Sequence, residues 1–327
     1  MLSDNEYTQL KKVIVGRADK AKIPAFDKSM RCVNYADLAE DHIPNPGVFP
    51  KQALEEANED LETLCDFLRK EKIQVLRPAI DYDPLYYTYC PRDTLTVHRD
   101  KILAAPMPLI SRKDEHEAYA ECFKNYKGAK YIHKSISRSE ELYNENCVMN
   151  KNILALNETD PCFDAANILR HHDDIFYLIS NSGNKKGGEF LKQIFPNETI
   201  HYVENVYSFM HIDSTLSILR DGLLLCNPSR VRNKEQLPKF FHKWDIIYAP
   251  EPYDIGHYPG YCLASPWINV NLLSINENLV IVEERQIELQ KLLKTYKIEC
   301  AMLPMRHART LGGCFHCVTL DLERAYV

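Results

Sequence analysis

The chain has 327 residues, 45% of them hydrophobic and 26% charged, which is the usage of an ordinary globular protein with a core. Its 46 acidic against 40 basic side chains give a formal net charge of −6 with no dense basic stripe, which argues against neutralising nucleic-acid phosphates. No apolar run reaches the roughly 18 residues of a membrane span, and the opening MLSDNEYTQLKK lacks a signal-peptide core, so a cytoplasmic protein with small-molecule partners, no nucleic acid and no membrane is expected.

Short strands are predicted at 12–16 (KVIVG), 74–76, 102–105, 152–156, 174–179, 223–226, 279–282 and 317–322, each apolar or alternating and bounded by polar or turn residues. Helices are predicted between them. The clearest covers 51–70, where Leu54, Leu61, Leu64, Phe67 and Leu68 fall on one face after Pro50; 190–195 and 287–296 read the same way. A chain of this length calls for two domains or one large closed α/β or β-rich architecture. No linker, hinge or charge run divides it, so one continuous domain over 1–327 is expected. Strands, a helix and a further strand recur loosely about every sixty residues, which leaves room for about five diverged units around an axis.

Several constellations carry candidate chemistry. Asp93, in Cys90-Pro91-Arg92-Asp93, stands directly before the run TLTV, and a second carboxylate converging with it would suit the planar fork of a guanidinium. Asp164 sits in the apolar stretch Phe163-Asp164-Ala165-Ala166-Asn167, where an unpaired carboxylate is costly and a partner such as an imidazole is implied, unless it lies at the surface. His171-His172-Asp173-Asp174 reads as a solvated turn, since adjacent residues rarely share a metal. In Met210-His211-Ile212-Asp213, a strand would send His211 and Asp213 to the same face, where they could move protons and hold a cation.

Eleven cysteines scattered from Cys32 to Cys317 point to mostly reduced thiols, one of which is free to act as a nucleophile. The run Leu311-Gly312-Gly313-Cys314-Phe315-His316-Cys317 makes Cys317 the first candidate, because paired glycines allow close backbone approach and the thiol would stand at the start of a strand. Cys314 and Cys317 also spell a C-x-x-C pair, but neither a second zinc-ligand pair nor a helix opening at the motif is visible. The two are close enough in sequence for a reversible disulfide.

Taken in order, CPRD, PCFDAANI, MHIDSTL, LLLCNPSR and LGGCFHC resemble the glycine/inosamine amidinotransferase family. The resemblance extends to VIVGRADKAKIP, ALEEANEDLETLCDFLRKEKIQVLRP, APMPLISR and SPWINVN, nearly the whole chain. It implies a five-bladed α/β propeller of ββαβ units, with Cys317 as nucleophile, His211 as general acid and base, and Asp164 as the carboxylate that orients His211. It further implies that Asp93 and Asp213 grip the guanidinium of L-arginine, Arg230 receives the substrate carboxylate, and Ser265 lines the arginine site. The chain departs from the family pattern at Ala264, where a serine is usual, at Cys314, where a glycine is usual, and in a shorter loop at 205–210 rich in Tyr207 and Phe209.

The implied reaction moves an amidino group from L-arginine to an amine through a covalent amidino-cysteine, releasing ornithine, with no metal or organic cofactor. The same resemblance implies a homodimer. The alternative is a hydrolase of the same fold, with water in place of the amine.

Overall fold

The computed structural model describes residues 2–124, 126, 128–204, 206, 207 and 209–326. Its strands form five three-stranded sheets and one two-stranded ribbon, Lys22–Ile23 with Gly47–Val48. The five sheets share one plan: two antiparallel strands, a helical or turn-rich crossover, and a third strand parallel to the middle one. In the third blade, Ile168–His171 and Asp174–Leu178 make the antiparallel pair, helix Lys185–Ile194 crosses over, and Thr199–Val203 returns parallel. The second blade uses Leu95–His98, Lys101–Ala104 and Lys130–His133. Leu216–Arg220, Leu223–Cys226 and Asp245–Tyr248 build the fourth, and Leu273–Asn276, Leu279–Glu283 and Glu299–Leu303 the fifth. The first blade joins both ends of the sequence: Thr319–Arg324 lies antiparallel to Leu10–Val15, and Gln74–Leu76 returns parallel after helix Lys51–Lys70.

The strands read as continuous apolar runs because both of their faces are covered. Successive side chains alternate between two different cores. Val13 and Val15 pack with Leu273, Ile275 and Ile281 of the fifth blade, whereas Ile14 between them packs with Leu95, Val97 and Ile102 of the second. Leu103 faces the third blade beside Ile175 and Tyr177; Phe176 faces the fourth beside Ile218 and Leu224; Leu219 and Leu225 face the fifth beside Val280 and Val282. Each blade thus shares a core with the next and the fifth with the first, which closes a five-bladed propeller.

Helix Lys51–Lys70 buries Ala57, Leu61, Leu64, Cys65 and Leu68 on one face, as its periodicity predicts. The segment 152–156 is not a strand. Asn150 draws the chain into a turn, its Oδ1 accepting the Asn152 N–H and its carbonyl accepting that of Ile153, so only Leu156 bridges to Tyr143. Among the described residues, no helix is long and apolar enough to cross a membrane.

Buried charges lie where the blades meet. Arg170 pairs with Glu6 at 2.8 Å and Asp321 at 2.7 Å, and Asp321 also holds Arg92 at 2.6 Å and Arg324 at 3.0 Å. Mutual pairing is what makes burying this many ions tolerable.

Candidate active site

Each blade is led into its first strand by a single tight turn, and these turns deliver the polar side chains of one site. Asp93 belongs to the turn Pro91–Thr94, and Asp164 precedes Ala165–Asn167. His211 precedes the turn Ile212–Ser214 and Asp213 lies within it, Asn271 follows Trp267–Val270, and Cys317 lies in the turn before Thr319–Arg324. A turn just ahead of a strand lets a side chain leave the sheet end-on. Two expectations change accordingly: His211 caps a 3₁₀ turn that contains Asp213, so the two do not share a strand face, because the His211 backbone is extended while Ile212–Ser214 is helical. Cys317 likewise stands two residues before its strand, in a turn closed by Val318 N–H donating to Cys314 C=O at 3.0 Å.

All of these but Asp164, which stands behind His211, line a cavity of about 1030 Å³ that also takes in Arg112, Arg230 and Ser265. His211 Nε2 is 3.0 Å from Asp164 Oδ2, and its Nδ1 is 3.6 Å from Asp93 Oδ1. Burial works against the imidazolium, but the two carboxylates outweigh it and hold the His211 pKa well above the usual imidazole value. Asp93 Oδ2 accepts from Arg112 Nη1 at 2.8 Å, and Arg112 is itself gripped bidentately by Glu115 at 2.7 Å. Burial raises the Asp93 carboxyl despite His211 and Arg112.

The Cys317 thiol donates to Asp213 Oδ2 at 3.2 Å, and Asn271 Nδ2 donates to Cys317 Sγ at 3.1 Å. His316 Nδ1 reaches the same Asp213 oxygen at 2.8 Å, and its Nε2 lies 3.5 Å from Glu6. Burial would raise Asp213, yet the hydrogen bond and charge of His316 hold it below the ordinary carboxylate range. Cys317 moves the other way: a hydrogen bond with the Cys90 thiol, burial and the Asp213 charge push its pKa well above that of a free thiol. Its thiol partner is therefore Cys90, from the second blade, whereas buried Cys314 is tied by its own N–H to Asn271.

Asp93 Oδ1 and Asp213 Oδ1 are buried with no hydrogen-bond partner among the described residues, a costly state that a cationic N–H donor would relieve. Arg230 is the counterpart charge. Its Nη1 donates to Ser214 O at 2.6 Å, Ser214 Oγ at 2.7 Å and Thr215 Oγ1 at 3.0 Å, its Nη2 to Ser265 Oγ at 3.3 Å, and it stacks on Tyr207 at 3.5 Å. No carboxylate among the described residues pairs with it within 4.0 Å. Tyr207, Phe209 and Met210 line the cavity; Asn205 and Ser208 of the same loop lie outside the described residues.

The structure thus gathers all seven side chains singled out in the sequence, Cys317, His211, Asp164, Asp93, Asp213, Arg230 and Ser265, around one cavity or directly behind it. Asn271, Arg112, Glu115, His316 and Cys90 were not singled out. Asn271 and Arg112 stood in quoted segments, SPWINVN and APMPLISR, and only their contacts reveal what they touch. Among the described residues no three His, Cys, Asp or Glu side chains converge to hold a metal ion.

No protein-family model matches the chain. Inosamine-phosphate amidinotransferase 1 of Streptomyces glaucescens is 36% identical over 98% of this chain and 95% of its own length. The chain belongs to the amidinotransferase family. Mitochondrial glycine amidinotransferase of Gallus gallus is 33% identical over 98% of this chain and 82% of its own length. The solved structure of inosamine-phosphate amidinotransferase from Streptomyces griseus superposes with a TM-score of 0.93 at 36% identity, covering 100% of this chain and 97% of that one. A dimethylarginine dimethylaminohydrolase from Pseudomonas aeruginosa, at a TM-score of 0.61 and 15% identity over 95% of this chain and 99% of that one, shares the fold.

Proposed function

We propose that this amidinotransferase takes its amidino group from L-arginine, carries it on Cys317 and passes it to an amine larger than glycine. The observation that carries the donor half is the pair of buried carboxylate oxygens without a hydrogen bond on Asp93 and Asp213 beside the Cys317 thiol, with Arg230, which no carboxylate among the described residues pairs within 4.0 Å, on the same cavity. Two carboxylates suit the guanidinium and Arg230 the α-carboxylate.

Each group then has a task. The guanidinium brings positive charge against a thiol that Asp213 and Cys90 otherwise keep protonated, and so releases the thiol proton to solvent when the donor binds. The thiolate attacks the guanidinium carbon; the C–N bond to ornithine breaks as His211, held protonated by Asp93 and Asp164, gives its proton to the leaving amine. The amidino group stays on sulfur as an amidino-thioether cation. Neutral His211 next accepts a proton from the incoming amine, whose nitrogen displaces the thiolate; as the guanidino product leaves, the thiolate takes a proton back from solvent and the enzyme returns to its starting charge.

The acceptor half rests on the cavity. A volume of about 1030 Å³ far exceeds the needs of one arginine and one glycine, and Tyr207 and Phe209 add aromatic surface to it. A small zwitterion would shed its water there for little burial. The carboxamides of Asn34, Asn150, Asn233 and Gln236, which also line the cavity, suit hydroxyl or carbonyl groups on a larger acceptor. The test is incubation with arginine and a panel of amines, with products read by mass spectrometry. Ornithine with an equal amount of one guanidino product supports the reading; citrulline, or urea without a guanidino product, contradicts it, and glycine as best acceptor contradicts the acceptor half.

A further inference from the structure

We propose that Asn271 is a catalytic residue: its side-chain N–H stabilises the Cys317 thiolate, both as it forms and as it is expelled from the amidino adduct. The inference rests on Cys317 being the nucleophile.

The orientation of the Asn271 amide is fixed by its surroundings. Its Oδ1 accepts two backbone N–H groups, Cys314 at 3.2 Å and Cys317 at 3.1 Å, so a flipped amide would set donor against donor twice. The NH2 end must therefore face the other way, where one hydrogen is directed at Cys317 Sγ, 3.1 Å from Nδ2, and Asp213 C=O lies at 3.5 Å. Every polar atom of this buried side chain is in use, which leaves it no room to swing from the sulfur. It also occupies the leading turn of the fifth blade, the place that Asp93, Asp164, His211 and Cys317 hold in theirs.

The electrostatics show why a donor matters there. The groups that face the sulfur are Asp213, Cys90, His211 and Asn271, with Asp93 beyond His211. Asp213 and Cys90 disfavour a thiolate. His211 opposes them, but it gives up its proton during turnover. Asn271 is the donor whose strength does not change through the cycle. An N–H bond to a charged sulfur is stronger than one to a neutral thioether, so it favours the thiolate before attack and again when the second amine displaces it. The same amide ties its Oδ1 to the backbone of the nucleophile's turn, which couples the position of the sulfur to the donor that solvates it.

Two substitutions separate solvation of the sulfur from anchoring of the turn. Asn271→Asp keeps an oxygen for both backbone N–H groups and loses the donor; Asn271→Ala loses donor and anchor without adding charge. The readouts are the rate of Cys317 alkylation by iodoacetamide near pH 9 in the absence of substrate, and kcat for ornithine release. Both rates should fall in both variants by about 10- to 100-fold, the worth of one hydrogen bond to a charged group, while Asn271→Asp melts close to wild type. Alkylation at the wild-type rate in Asn271→Ala would reduce the effect in Asn271→Asp to added charge and overturn the proposal. A wild-type rate in Asn271→Asp would leave only the anchor and overturn it equally. In the wild-type enzyme, labelling of Cys317 without loss of transfer would instead refute Cys317 as nucleophile, an outcome distinct from either.

Discussion

At the scale of the residue, charge placement does more than proximity. As the proposed nucleophile, Cys317 stays protonated until a cation reaches it, because Cys90, burial and Asp213 all raise its pKa. Below that raised value the thiolate fraction grows about tenfold per pH unit. The kcat/KM for arginine should therefore climb from neutrality to beyond pH 9, and a profile that levels off below pH 7 would contradict this reading. Arg230 gives a second prediction. Its charge is buried against hydroxyls, a carbonyl and the face of Tyr207, so Arg230→Ala should cost the donor about 2–3 kcal/mol, seen as a roughly hundredfold higher KM for arginine with little change in kcat. A change confined to the amine's kinetics would move Arg230 to the acceptor side. These roles were legible unevenly. Cys317, His211 and the carboxylates stood in motifs whose order carries meaning, whereas Asn271 and Arg112 are residue types with many uses, and only a 3.1 Å contact to sulfur or a 2.8 Å contact to Asp93 tells one use from another.

At the scale of the element, the leading turns are the devices that matter, and they were the hardest to read. The segment around His211 and Asp213 alternates like a strand, but Thr215 N–H donates to Ile212 C=O at 2.8 Å and curls it into a 3₁₀ turn. The turn carrying Cys317 depends on its glycines. Gly312 has φ +88°, which side-chain-bearing residues rarely adopt. At Gly313 an added Cβ would lie 2.6 Å from Cys317 Cβ and 2.7 Å from Cys90 Sγ. Gly313→Ala should thus displace the nucleophile and lower kcat by more than about tenfold, with the loss larger in kcat than in KM. Cys314→Gly, one residue along the same turn, should keep activity within a few-fold, since its thiol touches no reacting group and only its backbone N–H is tied to Asn271. Equal losses in the two variants would show that the turn tolerates no change at all.

At the scale of the whole molecule, the helix at 51–70 and several strands were legible from periodicity, and a fivefold recurrence only as a loose spacing. Many strands span just four or five residues, such as Leu95–His98 and Leu273–Asn276, and covered on both faces they show no alternation to read. The ion cluster was invisible for another reason: Glu6, Arg92, Arg170, Asp321 and Arg324 are far apart in sequence and look like surface charges. Burial alone would raise Glu6 and Asp321, but Arg170, with Arg92 and for Asp321 also Arg324, holds both well below the usual carboxylate range. Carboxyls depressed on folding contribute stability that is complete above their ordinary values of 4.5 and 3.8 and is lost progressively as pH falls below these. The melting temperature should accordingly drop steeply below about pH 4.5, and Glu6→Gln should cost about 3–5 kcal/mol at neutral pH while flattening that acid limb. An unchanged acid limb would place the pH sensitivity elsewhere. In the proposed reaction one thiol, Cys317, carries the amidino group between two substrates. The most direct test is to mix the enzyme with arginine labelled in its guanidino carbon, without acceptor, and to measure the intact mass and the peptide containing Cys317. The account predicts one labelled amidino group on Cys317 with one equivalent of ornithine, discharged when an amine is added; continued ornithine release with label in urea, or label on any other residue, would contradict it.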